Sequence, residues 1–334
     1  MNGRIKWIDT IKGIAMLSVV LCHVAHGLNE AGLYTNWHNL LFSIENITDM
    51  FQMPLFTVAS GFVFEKIYYA NKNEVNWNKL KKQLLNLCLL YVIWEIILWI
   101  VKYVMSGHVN ESVSVQDLLL APISPIGPFW YLWLMIGLYL IFSIKAMKRI
   151  SPTYVIPVLV IVGLVGSYLR NLDTWGNCFL FYAFFFYIGM LMASYEKRPK
   201  SYVYVIIAII TIALIVCLWS FEDKIYYMPF YNFIIAFGIT VCVMRLVETL
   251  AEGGVCGLNY IGEHSIEVYT MHVFVTSGGR VLLKILNIQN GLIAFIILAV
   301  LGVGLPLVAA KICSKIKIYD VFFKPCSVFY RKTK

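Results

Sequence analysis

Long runs of apolar residues recur along the whole chain and alternate with short polar stretches. Ten runs can be marked, near residues 11–28, 47–65, 84–105, 128–144, 153–169, 177–195, 201–220, 228–247, 259–277 and 289–313. Most of them approach the length that an α-helix needs to cross a bilayer, about 20 residues. The pattern therefore predicts an all-α polytopic membrane protein, built as a bundle of about ten transmembrane helices.

The composition agrees with this prediction and narrows the expected partners. Of the 334 residues, 60% are hydrophobic and 13% are charged, whereas an average soluble domain has about 25% charged residues. The net charge of +9 indicates basic loops held against anionic membrane lipids, and we expect no nucleic-acid partner. The eight cysteines are scattered, mostly inside apolar runs, so we predict neither a disulfide framework nor a metal site from them.

Positive charge is distributed unequally over the loops between these runs. If the loops are assigned alternately to two sides, one side and both chain ends carry most of the lysines and arginines. The opposite side carries only Arg170, Lys224, Arg280 and Lys284, with Lys102 at the end of a run. Because cytoplasmic loops are enriched in Lys and Arg, we predict that both termini are cytoplasmic and that the protein lies in a cell inner (plasma) membrane. The longest predicted outer loop covers residues 106–127. We predict a single transmembrane domain over residues 1–318 and a basic cytoplasmic tail over residues 319–334.

The first apolar run contains a cation and an imidazole on one face. Lys12 and His23 are eleven residues apart, which on an ideal helix puts them about 20° apart around the axis and roughly 16 Å apart along it. His26, three residues further on, lies on the same face. A titratable group deep in a membrane is by default a candidate functional residue. The alternative is that His23 is a structural hydrogen-bond donor between helices.

The second run carries another polar cluster, Asn46, Asp49 and Gln52, followed by Ser60 and Gly61. Asp49 is a candidate for orienting an imidazole, because carboxylates hold the second ring nitrogen of histidine in many sites. Small residues such as Ser60 and Gly61 permit close approach of two helices, and we predict that packing role for them.

The ninth run is polar for a membrane helix. His264, Val268 and His272 step by four residues, which predicts a stripe on one helix, with Glu263 and Glu267 beside it. The His-x7-His spacing is not a zinc pattern, so we expect no metal. A further isolated carboxyl, Glu95 in the third run, is predicted to be a buried structural group.

Several of these segments resemble, in the same order, the acyltransferase 3 family of integral membrane acyltransferases. In that family the opening helix has a basic residue, usually Arg, then ten residues, then His. The lysine found here occurs in the branch resembling fucose 4-O-acetylases. Gln52 replaces a common histidine of the second-helix segment. The segments that carry the resemblance are Asp9-x2-Lys12-Gly13-Ile14-Ala15 with His23, Phe51-Gln52-Met53-Pro54-Leu55-Phe56 with Ser60-Gly61, Phe129-Trp130-Tyr131-Leu132, and the run from His264 to His272.

The resemblance implies a membrane O-acyltransferase with a ten-helix core. Such an enzyme moves an acyl group, usually acetyl from acetyl-CoA, to a hydroxyl of a sugar or other cell-envelope acceptor, carbohydrate or lipid-linked. It implies no permanently bound cofactor, only acyl-CoA as donor substrate. His23 would act as general base or carry the acyl group, and Asp49 or His272 would orient it. Lys12, with Lys81 and Lys82 as further candidates, would attract the phosphates of acyl-CoA.

Two other functions stay open on the sequence alone. A proton-coupled transporter or flippase of an envelope precursor would use the intramembrane histidines and glutamates as a proton relay. A structural partner in an envelope complex would leave the alignment of Lys12 with His23 unexplained. Transfer of labelled acetyl groups from acetyl-CoA distinguishes these functions from an acyltransferase.

Overall fold

The computed structural model describes residues 5–69, 74–105, 112–144, 150–169, 175–195, 198–219, 229–250 and 253–331. The first part of the predicted outer loop, residues 106–111, lies outside these ranges. Of the residues on the sparsely charged predicted outer side, Arg170 and Lys224 also lie outside them, as do residues 332–334 of the predicted tail.

The described chain is all-α, as predicted, and no β-strand occurs in the described ranges. Two short 3₁₀ turns, Thr35–Trp37 and Gly127–Phe129, lie between the helices. The α-helices are α1 (Lys6–Glu30), α2 (His38–Tyr68), α3 (Trp77–Val104), α4 (Val115–Leu120), α5 (Trp130–Phe142), α6 (Pro152–Leu169), α7 (Trp175–Ser194), α8 (Ser201–Trp219), α9 (Pro229–Leu250), α10 (Cys256–Glu263), α11 (Ser265–Ile285), α12 (Gly291–Lys315), α13 (Tyr319–Phe323) and α14 (Pro325–Arg331).

The exposed surface of these helices is apolar, as expected for a surface that faces lipid. Among the described helices, six are long and apolar enough to cross a membrane, and three shorter apolar helices accompany them. On α8, Ile206, Ile209 and Ile212 are 51%, 61% and 60% exposed. A soluble protein does not expose large apolar faces of this kind, because water would drive them together. The helices therefore belong to a multi-pass membrane protein.

Each of the ten predicted runs corresponds to helical structure; α2 and α3 begin well before the predicted limits, and the ninth run corresponds to two helices. The sequence predicts a helix near 259–277, whereas the chain there forms α10, breaks at His264, and continues as α11 to Ile285. His264 is therefore the N-terminal capping residue of α11, and its carbonyl accepts the first helical hydrogen bond from the N–H of Val268 over 3.1 Å. A polar run with a glycine, Gly262, and several hydrogen-bonding side chains does not fix where a helix begins.

The chain divides into two compact units, residues 1–15, 50–81 and 136–262 in the first, and residues 16–49, 82–135 and 263–334 in the second. In the first unit, α2 and α7 approach each other through glycines. A Cβ atom on Gly61 would lie 2.0 Å from the carbonyl oxygen of Phe186, and one on Gly189 would lie 2.0 Å from that of Val58. Only glycine fits at such a contact, so the predicted packing role of Gly61 is confirmed.

The second unit has an aromatic core around Trp94 of α3. Its ring lies 5.8–6.5 Å from the rings of Phe129, Phe274, Phe322 and Phe323, and its Nε1–H donates to the Phe322 carbonyl over 2.9 Å. The predicted tail from residue 319 thus includes two short helices, α13 and α14, of which α13 packs on this core. The predicted division of the chain at residue 318 stays a prediction.

The start of α12 in the second unit is fixed by its own sequence. The side-chain oxygen of Asn290 accepts from the backbone N–H groups of Leu292 and Ile293 over 3.0 and 3.1 Å. Asparagine is favoured at this capping position because it satisfies donors that have no partner within the helix. Further along α12, a Cβ on Gly302 would lie 2.8 Å from Val20 of α1 and 3.0 Å from Thr276 of α11. At this point α12 is therefore in close contact with both α1 and α11.

Candidate functional site

Two histidines from distant parts of the sequence meet in the second unit. His23 lies on α1 and His272 on α11, and their ring centroids are 5.1 Å apart with the ring planes tilted by 49°. His272 is fully buried, at 0% exposure, and His23 is partly buried. Burying an imidazole inside an apolar helix bundle costs free energy unless a hydrogen-bond partner replaces the lost water. A histidine in such a place is therefore a candidate functional residue.

The hydrogen bonds of His272 determine which of its ring nitrogens carries the proton. Its Nδ1 lies 3.0 Å from the Val268 carbonyl oxygen and 2.8 Å from that of Tyr269. Because a carbonyl oxygen only accepts, Nδ1 must be the donor, and Nε2 then presents a lone pair. This Nε2 is buried and has no hydrogen-bond partner among the described residues. His272 is thus a fixed hydrogen-bond acceptor next to His23.

Carboxylates and a further histidine surround His23 on the α1–α2 side. His26, Asp49 and Glu45 all lie within electrostatic range of its imidazole. The Nδ1 atom of His26 lies 2.8 Å from Oε1 of Glu45, and the amide of Asn29 donates to Oε2 of Glu45 over 3.5 Å. The roles predicted for His23, Asp49 and His272 in catalysis stay predictions.

Glu45 was not among the residues singled out from the sequence. It precedes Asp49 by four residues, so both side chains lie on one face of α2. That spacing is a signal that could have identified it. Gln52, which the sequence grouped with Asp49, is buried but belongs to the first unit.

The cationic candidates have less defined surroundings. The Nζ atom of Lys12 lies 3.6 Å from Oδ1 of Asp9, with side-chain exposures of 23% and 5% for the two residues. Lys81 and Lys82 are exposed near the start of α3. Lys12 and His23 are carried by one continuous helix, α1, as the sequence predicted. Binding of phosphates by these three lysines stays a prediction.

A second histidine cluster lies around the first turn of α11. Nδ1 of His264 is 3.0 Å from Oε1 of Glu267, and the hydroxyl of Tyr319 donates to the same oxygen. Burial, together with the neighbouring Glu267, raises the pKa of Tyr319 above its usual range, so the phenol stays protonated and keeps its role as donor. The sequence did not suggest Tyr319, because it is 52 residues from Glu267 and no local pattern connects them.

A buried carboxyl holds the loop before α5 against this unit. Glu95, only 2% exposed, accepts from the backbone N–H of Ile126 over 3.0 Å. The hydroxyl of Tyr269 donates to the Pro128 carbonyl, and its ring centroid lies 6.3 Å from that of His272. Between these anchors Gly127 has φ +67°, a conformation that glycine adopts without strain. Glu95 is therefore buried, as predicted. It holds the loop at Ile126, and Pro128 of the same loop accepts the hydrogen bond of Tyr269, whose ring lies beside that of His272.

Comparison with known proteins identifies the chain at the family level. A family model described as Acyltransferase domain (Acyl_transf_3) matches residues 5–311. No curated protein and no solved structure was found to match the chain. The family match covers nearly the whole sequence, including the helices that carry His23, Asp49 and His272. The chain is therefore a membrane acyltransferase and belongs to the acyltransferase 3 family.

Proposed function

We propose that this acyltransferase moves an acyl group, in the simplest case acetyl, from acyl-CoA to a hydroxyl group of a sugar or other cell-envelope acceptor. The observation that supports the proposal most is the pair of imidazoles, His23 and His272, 5.1 Å apart in an apolar bundle. Acyl transfer to a hydroxyl needs a group that accepts a proton near neutral pH, and histidine is the side chain best suited to this.

In the proposed reaction His23 is the general base. It takes the proton of the acceptor hydroxyl while the hydroxyl oxygen attacks the carbonyl carbon of the thioester. The carbon–sulfur bond then breaks, and the thiolate of CoA leaves and takes the proton from the imidazolium. In the alternative form, a nitrogen of His23 attacks the thioester first and carries the acyl group until the hydroxyl displaces it. Rapid-quench isolation of an acyl-protein distinguishes the two forms.

The surrounding groups have supporting roles in this proposal. His272 would position His23 or the reacting hydroxyl through its fixed Nε2 acceptor. Asp49, with Glu45, would stabilise the imidazolium that forms on His23, since both carboxylates lie within electrostatic range of it. We also propose that Lys12, with Lys81 and Lys82, attracts the phosphates of the donor.

The finer assignments follow the residue patterns. Lysine at the basic position of α1 supports the branch of the family that resembles fucose 4-O-acetylases. The bias of Lys and Arg towards one set of loops supports a plasma membrane location with both termini in the cytoplasm. Labelling of single-cysteine variants of the C-terminal segment from outside the cell would contradict that orientation.

The decisive experiment compares His23→Ala with His38→Ala in purified protein supplied with radiolabelled acetyl-CoA. His38 is an exposed histidine at the start of α2, and it serves as the matched control. We expect His23→Ala to lower transfer by about 10²–10⁴-fold, the usual contribution of a general base, and His38→Ala to leave it unchanged. Near-normal transfer by His23→Ala would favour a purely structural role for this residue. Absence of transfer by the wild type would contradict acetyl-CoA as the donor.

A further inference from the structure

The chain between α3 and α5 contains α4 and the 3₁₀ turn Gly127–Phe129. We call residues 112–129 the α4 segment. The sequence predicts an outer loop over residues 106–127, which would lie in water beyond the end of α3. The hydrogen bonds of the α4 segment, however, are made far from that end of the helix.

The depth of these hydrogen bonds can be read along α3. Lys82 and Lys102 enclose a stretch of α3 whose single charged residue is Glu95. The two lysines are 20 residues apart, about 30 Å on a helix, which is the thickness of the hydrocarbon core of a bilayer. Glu95 and Tyr91 precede Lys102 by 7 and 11 residues, so they lie about 10 and 16 Å inside this boundary.

Side chains bond to the backbone of the α4 segment at five points among the described residues. Glu95 accepts from the N–H of Ile126 over 3.0 Å, and the hydroxyl of Tyr91 donates to the Ala121 carbonyl. Backbone outside a helix is stable at membrane depth only where protein groups or trapped water satisfy it. Three further side chains donate to carbonyls of the segment: Trp99 to Ser114 over 2.8 Å, Trp133 to Pro122 over 3.0 Å, and Tyr269 to Pro128.

The exposed face of the α4 segment is apolar. Leu119 and Ile123 are 74% and 73% exposed, and Leu120 between them is also exposed. In water such a face would be unfavourable, whereas acyl chains of lipids cover it without cost. The neighbouring helix α3 exposes an apolar stripe at four-residue steps, formed by Val92, Ile96 and Ile100.

The length of α5 leads to the same depth. α5 has 13 residues, Trp130–Phe142, and rises about 20 Å, which is less than the roughly 30 Å of the hydrocarbon core. The anchor at Ile126, shortly before α5, lies about 10 Å inside the core at the level of Glu95. The crossing by α5 is therefore complete only if the α4 segment covers the remaining depth.

From these observations we infer that the α4 segment is re-entrant: it dips into the membrane from the Lys102 side, and its face of Leu119, Leu120 and Ile123 contacts lipid acyl chains. The inner end of the segment lies beside the candidate site, because Pro128 accepts from Tyr269, whose ring is next to that of His272. The inference concerns contact with the membrane and does not depend on the proposed reaction.

The test measures the depth of single nitroxide labels in the full-length protein in lipid nanodiscs. A ketone-bearing unnatural residue in place of Ile123 carries the label, so the native cysteines stay unlabelled. Ile96 on α3 is the reference position for a side chain in lipid, and Gln289, exposed between α11 and α12, is the reference for a loop in water. Power-saturation EPR compares collisions with oxygen, which concentrates in lipid, and with a nickel chelate, which stays in water.

We expect the ratio of oxygen to nickel collisions at position 123 to lie within about twofold of that at position 96 and about tenfold above that at position 289, because lipid excludes the chelate. A ratio like that at position 289 would overturn the inference. A label shielded from both collision partners would show that protein covers the face, which would overturn the contact with lipid.

A variant pair links the depth of the segment to its anchor. Glu95→Leu removes the acceptor for the Ile126 N–H, whereas Glu95→Gln retains an oxygen that can accept this hydrogen bond. With the label at position 123, we expect nickel collisions to rise about threefold in Glu95→Leu and to stay unchanged in Glu95→Gln. Unchanged collisions in Glu95→Leu would contradict the anchoring role of Glu95. If Glu95→Leu fails to fold, the three labels in the otherwise wild-type protein still decide the inference.

Discussion

Two histidine clusters lie along α11, and they differ in whether their hydrogen-bonding atoms have partners. At the first turn, His264, Glu267 and Tyr319 satisfy one another, with the Glu267 oxygen receiving both contacts. Two turns further on, His272 faces His23 and keeps an unpartnered acceptor among the described residues. Both clusters break the apolar pattern of the sequence in the same way. The comparison shows that His264 belongs to a closed set of contacts, whereas Nε2 of His272 can still accept a hydrogen bond next to His23.

The largest difference in activity is expected between two variants, each of which replaces the histidine of one cluster by alanine. We expect His272→Ala to lower kcat for acyl transfer by about 10²-fold or more, with little change of KM for acyl-CoA, because positioning of the base is lost. We expect His264→Ala to change kcat by less than about threefold, which corresponds to well under 1 kcal/mol. Steady-state kinetics on protein with wild-type melting behaviour measure both. Equal losses of kcat in the two variants would show that the two clusters do not differ in their importance for the reaction.

A smaller effect on catalysis is expected from replacing Lys12. Like His264, Lys12 already has a partner, the carboxylate of Asp9. If Lys12 also binds donor phosphates, Lys12→Ala should raise KM for acetyl-CoA by about tenfold, the equivalent of roughly 1.4 kcal/mol. Lys12→Arg should preserve KM, because a guanidinium can hold a phosphate in place of an ammonium group. A wild-type KM in Lys12→Ala would restrict Lys12 to its structural ion pair with Asp9.

The smallest effect on activity is expected from Tyr319→Phe, which removes the donor to Glu267 and leaves the ring in position. A hydrogen bond to a charged group is worth about 1.5–3 kcal/mol, so the variant should unfold at a lower temperature while retaining kcat. The control is Tyr154→Phe, which alters a tyrosine that is 72% exposed on α6 and should change neither the unfolding temperature nor kcat. A loss of kcat in Tyr319→Phe without a loss of stability would assign the first cluster to the reaction.

The fold class followed from the sequence because membrane helices are governed by a local rule. A backbone in lipid must satisfy its own hydrogen bonds, so each long apolar run forms a helix wherever it lies in the chain. The limits of α11 could not be predicted in this way, since its polar residues are acceptable only where other helices bury them.

For the candidate site, the sequence identified single residues, and the tertiary structure decided which of them meet. Lys12 and His23 could be related because they share one helix, and periodicity fixes the angle between them. The contact of His23 with His272, the partnership of Glu45 with His26, and the bond from Tyr319 to Glu267 each join segments that are distant or separated by a turn. Such contacts depend on how helices pack, and side-chain packing is a property of the whole bundle that no local pattern contains.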